Sequence, residues 1–348
     1  MKVAFICQSV DPDDPILGFT SDWIRALASD SRVERLTVIA LRAKRVALPG
    51  NVSVLRIRGR VRPVTLLRFY GVVVRLLLEG VDGFFIHMGG PYPILLYPLK
   101  LIGKPVYQWK NHRTIGPMMR FCARHCCTKI FTATRGSFPM VSPNVRVTGH
   151  GVDVDRFCPR AAERRKEIVT VGRIARSKRL DVILRIIAHH NALYETPCRL
   201  DLYGPVQENE KGHYRELMRM TEDLRLASHV SFEGPVLHDR MPHILADYRL
   251  FMNFSTTGLD KATLEAMACG LPVMSTNPCV GEILPGELKE LLFVSDEDVA
   301  AQAERLHRLL SMGEDDLAHI GRSLREVVVR DHSLQRLFEK ILGEMKAA

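Results

Sequence analysis

The sequence predicts an α/β fold of two doubly wound parallel sheets, and three observations carry that expectation. Short apolar runs alternate with helix-length amphipathic segments through most of the 348 residues. The alternation runs to about residue 134 and restarts near residue 167, so a second unit repeats the architecture of the first. The length also suits two units of ordinary size, each burying its own core.

In the first unit, strands are expected at 2–7, 35–41, 53–57, 83–88, 105–109 and 129–134, with helices at 21–30 and 116–126. In the second, strands are expected at 167–174, 198–206, 229–236, 249–255 and 271–277. Helices at 181–194, 214–226 and 241–248 separate them. The polar, charged stretch 158–167 is the natural boundary, giving units 1–160 and 161–332, with a final helix over 333–348 joining the first. Two such sheets facing each other would leave a cleft at the C-terminal ends of their strands, where open sheets bind ligands.

Hydrophobic content of 46% and charged content of 25% are those of a soluble globular protein. The apolar stretches 64–78 and 91–103 are interrupted by Arg68, Arg75, Pro98 and Lys100, so neither is expected to span a membrane. The N-terminus enters a strand without a signal-peptide pattern, so a cytoplasmic protein with eight reduced cysteines is expected. Cys122, Cys126, Cys127 and His125 lack a second ligand pair at zinc-site spacing, and no metal is expected there.

Charge is unevenly spread. Residues 1–160 hold 24 Lys and Arg against 10 Asp and Glu, whereas 161–348 hold 25 against 29. A basic first half implies an anionic partner. The densest patch, 56–63, runs into the apolar, Arg-punctuated segment 64–78, a combination suited to peripheral contact with an anionic membrane at the inner face. No nucleic-acid motif is present and the basic residues are not interleaved with stacking aromatics, so nucleic acid is not an expected partner.

The most informative segment is 255–277. It reads as a loop, a short helix N-capped by Asp260 and stopped by Gly270 and Pro272, then a strand. The amides of Gly258, Leu259, Asp260 and Lys261 precede a helix N-terminus, which suits an anionic ligand. One turn in, Glu265 can accept hydrogen bonds from sugar hydroxyls. Other candidates stand at strand ends: Gly18 in the first loop, His112 after the strand 105–109, Gly172 at the end of 167–172 with Arg173 and Lys178 after it, and Gly204 near the end of the next strand. Arg173 offers a rigid fork of donors and Lys178 a mobile point charge, a pair suited to a diphosphate.

The order VTGHGVDVDRF, VGRIARSKRLDVIL, LYGPV, VSFEGPV and GLDKATLEAMACGLPVMSTN resembles glycosyltransferase family 4, of the GT-B fold with two facing Rossmann-like domains. The resemblance spans nearly the whole chain and is strongest over 147–282. It implies a retaining, metal-independent sugar transferase with no cofactor, taking a nucleotide sugar as donor and a glycan or glycolipid as acceptor. It also implies that His112 lies beside the donor sugar and that Glu265 binds the nucleotide ribose. The family's first glutamate, eight residues before Glu265, is Thr257 here. That departure keeps open a catalytically weak GT-B protein serving as a nucleotide-binding or partner subunit.

Overall fold

The computed structural model describes residues 1–160, 166–294 and 298–346. It divides into two compact units, Met1–Gly151 with Leu334–Ala348, and Val152–Ser333.

The first unit carries β1 (Lys2–Val10), β2 (Arg35–Ala43), β3 (Val52–Arg56), β4 (Gly83–His87), β5 (Val106–Trp109), β6 (Lys129–Thr132) and β7 (Val145–Val147). These seven form one parallel sheet in the order β3-β2-β1-β4-β5-β6-β7. Its crossovers include α1 (Thr20–Ala28), α2 (Arg62–Leu78), α3 (Tyr92–Leu95), α4 (Tyr97–Leu101) and α5 (Pro117–Phe121). β1 and β4 are apolar along most of their length because a parallel sheet is covered on both faces. α1 shows the logic of a crossover: Trp23, Ile24 and Leu27 are buried at helical spacing, and Asp22 stands in the first turn. The expected helix over 116–126 divides into α5 and a π-helical turn over Cys122–Cys126. β7 was not anticipated, since three residues with exposed Val147 carry little apolar signal.

The second unit carries β8 (Lys166–Val171), β9 (Leu200–Tyr203), β10 (Val230–Gly234), β11 (Tyr248–Asn253) and β12 (Val273–Ser275) in the parallel order β10-β9-β8-β11-β12. Around them lie α6 (Leu180–Leu193), α7 (Lys211–Asp223), α8 (Met241–Ala246), α9 (Lys261–Ala268) and α10 (Pro278–Ile283). Three more helices follow, α11 (Gly286–Leu292), α12 (Val299–Leu310) and α13 (Glu314–Val327). α9 ends as the sequence predicts. The amides of Gly270 and Leu271 donate to the carbonyls of Met267 (3.0 Å) and Ala266 (3.0 Å), with Gly270 at φ 70°. The chain ends in α14 (Leu334–Lys346), which lies against the first unit through Phe338 on Trp23 and the Lys129–Glu344 ion pair.

The division falls at Gly151/Val152 rather than in the charged stretch 158–167, of which 161–165 lie outside the described residues. Contacts decide it, not composition. The Val152 amide donates to the His332 carbonyl, and the Arg325 guanidinium binds the carbonyls of Val154, Phe157 and Ala268, fastening 152–157 to the second unit. Among the described residues no helix is long and apolar enough to cross a membrane.

Candidate active site

In an open parallel sheet the ligand crevice lies beyond the C-terminal ends of the strands where the strand order reverses. In the second unit that point is between β8 and β11. The loops after both strands meet there: the Thr256 amide donates to the Ser177 carbonyl at 2.9 Å. Across this junction Lys178 Nζ bonds the Asp260 carboxylate, each side chain only 13% exposed. Asn253, the last residue of β11, donates to the same carboxylate at 2.9 Å.

Asp260 therefore does more than its position suggests. It stands at the N-cap of α9, as expected; its side chain makes no cap hydrogen bond of ordinary geometry, although the amide of Ala262, second in the helix, still acts on it. Burial pushes its carboxyl up, and the Lys178 ammonium, Asn253 and the nearby Ala262 amide more than offset this, holding it below the ordinary range. Arg173 is arranged differently. Its guanidinium donates to the neutral Gln207 side chain at 3.0 Å and has no carboxylate partner among the described residues. Of the two predicted cations, Lys178 is already neutralised and Arg173 keeps its charge available.

Gly172 and Gly204 make this geometry possible. A Cβ on Gly172 would lie 2.9 Å from Lys178 Cε, and one on Gly204 only 1.8 Å from the Gly172 carbonyl oxygen. Both have φ 151°, which disfavours any side chain. Their job is close approach of the two strand ends, which lets Lys178 lie across the junction. Gly204→Ala is expected to destabilise the protein by about 3 kcal/mol or to displace the Arg173 loop. Thermal unfolding with a nucleotide-binding measurement checks this, since one of the two must change.

Glu265, in α9, is 4% exposed and ionised. Burial pushes its carboxyl up, but Lys261 and His238 bring it well below the usual carboxylate range. Both reach the same atom: Lys261 Nζ donates to Oε1 at 2.6 Å and His238 Nε2 lies 2.6 Å from it. Oε2 has no hydrogen-bond partner among the described residues, which leaves it as the acceptor for a ligand hydroxyl. Lys261 is thus placed by its side chain as well as by its amide. His238 was not anticipated. It lies in a 3₁₀ turn after β10, with Arg156 3.1 Å from Nδ1 and Phe157 against its ring, and its only sequence signal was a polar residue after a strand.

Gly258 and Leu259 are buried. The Leu259 side chain is a core anchor at 0% exposure, so only its backbone could face a ligand. Asn277 fixes this loop by donating to the Gly258 carbonyl at 3.1 Å. Thr257 turns its hydroxyl to Ser255 Oγ at 2.9 Å.

Gly18 and His112 belong to the first unit, at the C-terminal edge of its own sheet. A Cβ on Gly18 would lie 2.7 Å from the Pro12 carbonyl and 2.8 Å from that of Asp14, so glycine is required by the tightness of the loop. His112 is exposed, its ring set by its own loop: Nδ1 lies 3.1 Å from the Thr114 amide nitrogen. Lys110, two residues earlier, binds the Met88 carbonyl at 3.1 Å, and burial pushes its pKa down. It is a cation at this edge. Cys122, Cys126 and Cys127 sit in a hydrophobic cluster with Met119, Ile130 and Phe138, and burial pushes the Cys122 thiol up to about 11. Among the described residues no three His, Cys, Asp or Glu side chains gather as metal ligands would.

Residues 165–312 match the family described as Glycosyl transferases group 1, an interval that holds every second-unit candidate. The chain is 28% identical over 217 residues to an Escherichia coli (strain K12) protein provisionally named a colanic acid biosynthesis glycosyltransferase, WcaL. That match covers 58% of this chain and 51% of the relative, so the chain spans about half the length of that relative. It is 30% identical over 145 residues to a Mycolicibacterium smegmatis GDP-mannose-dependent alpha-(1-6)-phosphatidylinositol monomannoside mannosyltransferase, covering 36% of each. Among solved structures, Anabaena Alr3699/HepE in complex with UDP and glucose superposes with a TM-score of 0.78 at 16% identity over 100% of both chains. Sucrose-phosphate synthase from Thermosynechococcus elongatus gives 0.78 at 14% identity over 100% of this chain and 99% of that one. The fold is therefore of the GT-B type, with parallel sheets of seven and five strands flanked by helices.

Proposed function

We propose that the protein is a retaining glycosyltransferase that moves a sugar from a nucleoside diphosphate donor in the cytoplasm to a hydroxyl of a lipid-linked or cell-surface glycan. The observation that carries this reading is Arg173: a guanidinium with no carboxylate partner among the described residues, at the switch point of a parallel sheet, beside Lys178 and a ribose-accepting Glu265. When the bond from the sugar to the diphosphate breaks, negative charge grows on the departing phosphate. Cations held there stabilise that charge. Arg173 binds it with a planar fork, and Lys178 exchanges its carboxylate partner for phosphate, so the two serve where a metal would in other transferases.

The new bond joins the sugar to the acceptor oxygen on the face the leaving group vacates, and a donor phosphate oxygen takes the acceptor proton. The family resemblance alone assigns His112, in the first unit, to the donor sugar. The names of the relatives, a polysaccharide biosynthesis transferase and a phosphatidylinositol mannoside transferase, support the acceptor class. A panel of nucleotide sugars assayed for nucleoside diphosphate release tests the proposal. One donor is expected to turn over; release from none of them, with or without glycolipid acceptors, would reject it.

Thr257 favours a second reading. With a hydroxyl turned to Ser255 where the resembling family has a carboxylate, the chain would bind nucleotide without turnover and serve as a partner subunit. Nucleotide binding with no turnover of any donor would select it.

A further inference from the structure

α2 exposes far more apolar surface than a crossover helix needs. Of its 17 residues only Phe69, Val73 and Leu76 are buried, a stripe at i, i+4 and i+7 that faces the core. On the opposite side Val64, Leu67, Val74 and Leu78 form a second stripe at i, i+3, i+10 and i+14, and it lies open. Leu67 is 72% exposed and Leu78 85%. Ordinary soluble surfaces scatter such residues singly.

The open surface extends beyond the helix. Tyr70 Oη donates to the Leu95 carbonyl at 3.1 Å, which sets α3 beside α2. Tyr97 of the next helix meets Phe121 of α5 with ring centroids 6.3 Å apart. These neighbours add Leu101 and Ile102, each 69% exposed, and Met118 at 52%. With Ile94 of α3, 40% exposed, apolar side chains from four helices thus share one side of the first unit's sheet.

Charge says what covers them. Residues 56–78 contain six arginines and no Asp or Glu. All six are exposed; Arg68 borders the open stripe, Arg56, Arg58, Arg60 and Arg62 lead into the helix, and Arg75 is paired with Glu79 at 2.7 Å. A second copy docking by a two-fold axis would set arginine against arginine, which disfavours self-association through this face. An interfacial helix with an apolar stripe and arginine margins matches a layer whose headgroups are anionic and whose interior is hydrocarbon.

We propose that α2, with the exposed ends of α3 to α5, docks the protein on an anionic lipid bilayer, the helix lying in the plane of the interface. The docking deepens the proposed function only in supplying the acceptor, and it stands or falls separately. Every strand of the first sheet runs the same way, so the segment Arg56–Arg62 leaves β3 at the same sheet edge at which His112 leaves β5. A lipid-borne acceptor held at the bilayer would meet that edge.

The test uses the purified full chain in flotation with vesicles of phosphatidylcholine alone or with phosphatidylglycerol added. The protein is expected to float with the anionic vesicles about tenfold better than with the neutral ones, and to be released by salt. Leu67→Glu with Val74→Glu is expected to reduce flotation at least about tenfold. Both positions are exposed, so the melting temperature and donor turnover in solution should not change. Arg58→Glu with Arg60→Glu should remove the preference for phosphatidylglycerol. Failure of the wild type to float, or flotation of the Leu67/Val74 variant equal to wild type, would overturn the proposal. So would a dimer in sedimentation velocity that the same variant dissolves without any vesicle binding. None of these outcomes touches nucleotide binding, so the transferase reading is judged apart.

Discussion

Arg173→Ala is expected to slow sugar transfer by a factor of 100 or more, with little change in melting temperature. The size follows from what the side chain does and does not hold. Among the described residues it makes one hydrogen bond, to the uncharged Gln207, so its removal orphans no carboxylate there and costs the fold little. Bound to a diphosphate that gains charge as the sugar departs, the same guanidinium is worth about 3–4 kcal/mol, by analogy with donors that stabilise an oxyanion. Steady-state rates of nucleoside diphosphate release, with thermal unfolding alongside, measure both effects. Lys178→Ala is a poorer probe of the same idea, because it strands Asp260 as a buried, uncompensated carboxylate. Lys178→Met combined with Asp260→Asn removes both charges and separates the catalytic loss from the folding loss.

Glu265→Ala is expected to lower stability by about 3–5 kcal/mol and to abolish nucleotide binding. The carboxylate is 6% exposed in its side chain and is shared by Lys261 and His238, so its removal breaks two charged contacts in a largely buried site. For a unit of this size the loss corresponds to roughly 10 °C in melting temperature. The pH dependence has a definite sign. Glu265 and Asp260 are both held below their ordinary values in the folded state. Their stabilisation is complete above the unfolded carboxylate range of about 4, and is lost as pH falls from there toward the depressed folded values. Melting temperature measured from neutral to acid should drop steeply in wild type and less steeply in Glu265→Gln. Equal slopes would mean that the buried carboxylate is not linked to folding.

Much of the fold was legible because parallel strands covered on both faces are nearly continuous apolar runs, as in Gly83–His87 and Val106–Trp109. Short strands at a sheet margin escape that signal, and β7 was missed for that reason. The site was legible where glycine and charge stand next to strand ends, as with Gly172, Arg173 and Lys178. It was not legible where function depends on partners distant in sequence. Nothing near Asp260 says that its partner is Lys178, 82 residues away, so the carboxylate's main contact could not be read from its N-cap position. His238 went unread for a similar reason, since it gains meaning only through Glu265 on another element. The apolar run 64–78 was visible, but its division into an inward and an outward stripe required the packing of Phe69, Val73 and Leu76.

The central claim is that the edge between β8 and β11 grips a nucleoside diphosphate through Arg173. Titration calorimetry of the wild-type chain and Arg173→Ala with UDP, GDP and ADP tests it most directly. Binding of at least one of them, weakened about tenfold or more in the variant, is the predicted result. No heat with any of the three, or equal affinity in both proteins, would contradict it.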